Sequence, residues 1–131
     1  MIYERLVDAA IRMLCEDPAE ESVEDYRERA RYLLATFCSE CEPIDRSYRA
    51  AHQMPSVVRR PTACVRLQEE FPLCDVFVTA AEYYLSAMLA MEENEEMSEK
   101  YLALYSDALS RIVSSLPASL HKISDRYGLL T

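Results

Sequence analysis

A single glycine, Gly128, serves a chain of 131 residues. Tight hairpin turns and β-bulges need residues that tolerate positive φ, and glycine does so with least strain. This scarcity argues against an all-β sandwich or barrel, and it excludes a typical glycine-rich phosphate loop. The residues that are abundant instead, Ala, Leu, Glu, Arg and Met, favour helix. With 50% hydrophobic and 28% charged residues, the chain is neither disordered nor of low complexity. The expectation is an all-α fold, a four to five helix bundle, in one domain over residues 1–131.

Apolar residues at three-four spacing mark the helices. The first runs from about Ile2 to Cys15 on Tyr3, Leu6, Val7, Ala10, Ile11 and Leu14, and Asp17-Pro18 stops it. The second begins near Ser22, which with Asp25 resembles a capping box. Its stripe is Tyr26, Ala30, Leu33, Leu34, Phe37, Cys38 and Cys41. Pro43 either ends this helix or opens a short successor through Ala51, with Ile44 and Tyr48 as apolar contacts. The third helix covers about 75–92 and the fourth about 98–115, with Asn94 expected as a C-cap between them. A short acidic turn makes these two antiparallel neighbours. After Pro117 a short helix is expected to reach Tyr127, within a C-terminal tail over 117–131.

Between the second and third helices lies a long segment, 52–71, punctuated by Pro55 and Pro61 and closed by Pro72. Val57, Val58 and Val65 support extended pieces, so the expectation is an extended arm, either a loop or a small β-hairpin. Loops of this length in a small domain are often functional.

Charge is unevenly placed. The formal net charge is -9, which disfavours wrapping of nucleic acid by the whole chain. Yet residues 43–66 hold five arginines, Arg46, Arg49, Arg59, Arg60 and Arg66, against the single acid Asp45, a window of +4. Two readings stay open for it: internal pairing with acidic helix ends, or contact with an acidic partner surface or passing DNA. The candidate interface set is Arg46, Arg49, Arg59, Arg60 and Arg66 with Phe71.

Other motifs carry less. Cys38 and Cys41 form a CxxC, which invites a redox or zinc reading. A thioredoxin-like site needs a preceding strand, and a zinc site needs two further ligands, of which only His52 is near. Spacing three on a helix puts both sulfurs on the buried face, so core packing is favoured. Neither His52 nor His121 sits in a ligand or triad spacing. The glutamates at 92, 93, 95 and 96 lack the calcium-loop spacing. No catalytic residue, cofactor or metal is therefore expected. Nor are a signal peptide, since Met1 to Glu16 is charged throughout, or a transmembrane helix. Five cysteines in apolar contexts read as reduced thiols.

Three stretches together, YRERARYLLATFCSECEPIDRSYR (26–49), EEFP (69–72) and FVTAAEYYLSAMLAMEENEEMSEKYLALYSDALSRI (77–112), resemble the head–tail connector or adaptor proteins of tailed bacteriophages and prophages. The likeness is one of helix texture over about residues 1–113. It implies a non-enzymatic virion assembly protein that forms a ring between portal and tail, through which DNA passes without specific binding. An isolated subunit that stays monomeric is compatible with it. The resemblance further implies that the 52–71 arm reaches a neighbour or the tail and that the C-terminal tail docks on the portal. The place of action would be the host cytoplasm during assembly and then the virion neck. The alternative is a small helical interaction or regulatory module of a mobile element. An enzyme with an unrecognised helical site is a third reading, which no convergent polar set supports.

Overall fold

The computed structural model describes residues 1–57 and 59–117. Four helices account for most of it: α1 Tyr3–Met13, α2 Glu24–Ala51, α3 Val78–Ala90 and α4 Glu95–Ser114. The all-α expectation holds. The tail helix expected after Pro117, Gly128 and His121 lie outside the described residues, as does Val58.

α3 is the centre. It buries Ala80, Ala81, Tyr84, Leu85, Ser86, Ala87, Leu89 and Ala90, which is nearly its whole circumference. Its alanines let α1, α2 and α4 approach closely, and all three pack on it. Two of the buried serines bond across helices: Ser86 Oγ donates to the Ala10 carbonyl at 3.2 Å and Ser98 Oγ to the Ala87 carbonyl at 2.7 Å. Phe37 of α2 links the layers, with its ring 5.5 Å from Tyr84 of α3, 6.1 Å from Tyr105 of α4 and 6.3 Å from Phe71.

α2 departs from expectation at Pro43. It runs 28 residues, roughly 42 Å, without a break there. Proline lacks the N–H that would meet the Ser39 carbonyl, and such a residue costs a helix interior about 3 kcal/mol. The burial stripe outweighs this. Phe37, Cys38 and Cys41 before the proline, and Ile44, Asp45 and Ser47 after it, are all buried on the same helix. A buried Ile contributes about 2 kcal/mol by itself. Asp45 adds a polar staple, accepting from Arg49 Nε at 2.8 Å and from the Cys74 amide at 2.9 Å.

The helix ends also differ from the simplest sequence reading. Ser22 does not cap α2; a 3-10 turn over Glu21–Val23 leads in, and Ser22 Oγ donates to Glu20. Asn94 is not a C-cap of α3 but the N-cap of α4, its Oδ1 accepting from the Met97 amide at 3.0 Å. α1 and α2 both close in Schellman turns. In α1 the Cys15 amide donates to Arg12 and the Glu16 amide to Ile11; in α2 the Gln53 amide donates to Ala50 and the Met54 amide to Arg49. These turns need a left-handed residue, and with no glycine at hand Cys15 (φ 63°) and Gln53 (φ 56°) supply it.

The segment between α2 and α3 is only half an exposed arm. It holds no strand among the described residues, and a single antiparallel bridge pairs Ile2 with Glu70. No pair of hairpin strands forms among the described residues of the segment. Residues 53–57 are exposed, whereas Val65, Leu67, Phe71, Leu73 and Cys74 are buried in the main core. Backbone bonds lace this second half down as a strap. The Val65 amide donates to the Arg31 carbonyl, the Glu4 amide to Leu67, the Tyr3 amide to Glu69 and the Phe71 amide to Met1. Among the described residues no helix is long and apolar enough to cross a membrane.

Candidate functional site

The strap and the two helices it crosses enclose a groove of about 610 Å³. Its walls carry four arginines: Arg31 from α2, and Arg59, Arg60 and Arg66 from the segment itself, with Glu69 and Glu70 at one edge. Arg31 is fixed in place, because its Nε donates to the Val65 carbonyl at 3.0 Å and its Nη1 to Glu28 at 3.0 Å. Thr62 Oγ1 donates to the Cys64 carbonyl at 2.8 Å and holds the turn below.

The strap also spends the nearby carboxylates. Glu69 lies 3.9 Å from Arg66, and Glu70 takes the Met1 amino group at 2.9 Å. Among the described residues no acid forms an ion pair with Arg59 or Arg60. Arg60 and Arg66 are exposed and Arg59 is half-buried. The positive charge of Arg59 faces the buried pair beneath, Tyr3 and Cys38, whose hydroxyl and sulfur lie 3.7 Å apart. Burial raises the pKa of both groups and the arginine works against it. Guanidinium groups gathered along one groove, of which Arg31 is held by the Val65 carbonyl, suit one kind of ligand, a carboxylate or another planar oxyanion met in a bidentate way.

Only three of the six residues singled out in sequence meet here: Arg59, Arg60 and Arg66. Arg46 projects from the outer side of α2 and binds Glu42 at 2.6 Å, outside the groove. Arg49 is internal; besides Asp45 it donates to the Pro55 carbonyl at 3.3 Å and the Pro72 carbonyl at 3.2 Å, tying the segment to α2. Phe71 is a core residue, 8% exposed, edge-on to Tyr3 at 5.9 Å. Arg49 and Phe71 are therefore largely buried and belong to the groove's frame. Arg31 escaped the sequence reading, because its spacing to Glu28 matches an ordinary helix-surface pair. The available signal was its place between Ala30 and Leu34, at the edge of the buried stripe.

The cysteine pair offers no comparable site. Cys38 and Cys41 are 0% and 1% exposed and pack in the core. Desolvation pushes the Cys41 thiol up to about 12, with the neighbouring Cys38 adding to it, so it is protonated and unreactive at neutral pH. No cluster of three potential metal ligands occurs among the described residues. His52 caps the end of α2, stacked on Tyr48 at 4.1 Å with its Nδ1 2.9 Å from the Tyr48 carbonyl oxygen.

Comparison of the chain with protein-family models, with curated proteins and with solved structures finds no match.

Proposed function

We propose that this chain is a non-enzymatic virion assembly protein of the tailed-phage head–tail connector kind, a ring subunit between portal and tail, and that its arginine groove docks an acidic protein surface. One observation carries the reading. Four arginines line one groove in a molecule whose net charge is -9. That overall charge repels a nucleic-acid backbone at long range, while the groove favours an approaching carboxylate. In this reading DNA passes the ring without being gripped. Assembly takes place in the host cytoplasm, and the finished ring sits in the virion neck.

The test is co-sedimentation with purified portal and tail proteins. Arg59→Glu with Arg60→Glu is expected to leave the circular dichroism spectrum unchanged and to weaken the co-complex at least about tenfold, a change of about 1.4 kcal/mol. Retention of the co-complex by the folded double variant overturns the reading. Failure of the wild type to bind either partner favours the smaller alternative, an interaction or regulatory module.

A further inference from the structure

Two acidic stretches meet near the C-terminal end of α1, the first of them reaching back along α2 to where Glu24 shares a depression with Arg31 and Leu67. Residues 16–25 hold six carboxylates and residues 92–99 hold five, with no lysine or arginine in either stretch. The fold brings the two stretches together: the Tyr26 hydroxyl donates to Glu93, and Glu16, Tyr26, Glu93 and Asn94 line one shallow depression. Arg27 and Arg29 of α2 partly balance Glu24 and Asp25, at 3.6 Å and 3.9 Å. On the turn between α3 and α4, Glu92, Glu95 and Glu96 stand exposed, with Lys100 beside Glu96 as the nearby cation.

This acidic pole surrounds the C-terminal end of α1, beside Leu14, whereas the groove lies at its N-terminal end, beside Tyr3. The 11 residues of α1 hold the two apart by roughly 16 Å. Among the described residues Arg31 pairs with Glu28 and Arg66 with Glu69, and no ion pair joins the 92–96 turn to a groove arginine. Two copies placed end to end bring them into contact.

We infer that the acidic turn over residues 92–96 of one copy seats in the arginine groove of the next. This rests on the assembly reading above and names the partner as a second copy of this chain. Groove and turn are different surfaces, so the contact is head-to-tail. Every copy in a row keeps one unused groove or turn at its end, and the row closes into a ring when the rotation per step allows. Repulsion between like ends excludes the two inverted pairings, which fixes the direction of growth.

Complementary charge reversal in the full chain, followed by sedimentation velocity across a concentration series, tests this. The groove variant is Arg60→Glu with Arg66→Glu and the turn variant is Glu92→Lys with Glu96→Lys, all at exposed positions. The wild type is expected to associate, and less so at high salt. Each variant alone is expected to sediment as a monomer with an unchanged melting temperature. An equimolar mixture is expected to regain association, since glutamate grooves then meet lysine turns and native grooves meet native turns. A misfolded variant gains nothing from mixing, so the mixture also serves as the folding control. Association of either variant alone at wild-type strength overturns the inference, as does a mixture that stays monomeric. A monomeric wild type whose groove still binds portal or tail protein overturns the inference and leaves the assembly reading standing. Short duplex DNA that binds the wild type and not the groove variant overturns the choice of occupant.

Discussion

At the scale of single residues, burial sets the chemistry more than identity does. The CxxC was legible as two thiols on one helix face, and the structure gives that face to the core. The same burial makes these groups report on folding. Desolvation pushes Cys41 from the ordinary 9.0 to about 12 and Cys74 up to about 11, the latter helped by the hydrogen bond with Asp45. The neutral thiols are thus favoured in the folded state. Their stabilising effect is complete below pH 9 and is lost as pH rises through the folded values. In that window the unfolded chain binds fewer protons than the native one, so unfolding free energy falls by up to about 1.4 kcal/mol per pH unit for each such group. The urea midpoint is expected to drop steadily between pH 9 and 11 and to be level between pH 7 and 8. A flat profile to pH 11 would show that these thiols are not desolvated. Asp45 was less legible than the cysteines. Nothing in its spacing shows that it will be buried and will hold both Arg49 and the Cys74 amide, a contact 29 residues away in the chain.

At the scale of elements, the helices were readable and their ends were not. Period and composition place all four, because each buried stripe spans three turns or more. Caps depend on one residue and one turn, where several local solutions compete. Asn94 illustrates this: it sits between two helices, and only the bond from the Met97 amide shows which of them it caps. Pro43 illustrates the opposite case, a strong local signal overridden by burial on both sides. The shortage of glycine leaves its mark at the ends of α1 and α2, where Cys15 and Gln53 hold left-handed conformations that cost a side-chain-bearing residue about 1 kcal/mol. Gln53→Gly is expected to raise stability by about that amount, measured as an upward shift in the thermal midpoint. Gln53 is exposed, so no packing change accompanies it. A lower midpoint would mean that the added freedom of the unfolded chain outweighs the relieved strain.

At the scale of the whole molecule, the groove and its frame are separable. The +4 window was visible in sequence, but which of its arginines converge is decided by backbone contacts between residues more than 30 positions apart, such as Val65 with Arg31. Periodicity carries no information about such contacts. Phe71 tests the frame. It packs between Tyr3 and Phe37, and Phe71→Ala is expected to cost about 3–5 kcal/mol as a lowered urea midpoint. Partner binding should fall with it, whereas the Arg60 and Arg66 reversal loses binding at unchanged stability. Equal loss of stability in both would show that the arginines belong to the fold and not to a surface.

The strap has one more consequence. Its backbone bonds reach the start of α1 and Arg31 of α2 at once, so the arginine groove exists only after the N-terminus, α2 and the strap have met. A chain that is still emerging, or that has collapsed wrongly, has its arginines but no groove. Under the assembly reading, competence to join a neighbour is thereby a certificate of correct folding, and faulty copies are left out of the growing structure without any separate inspector.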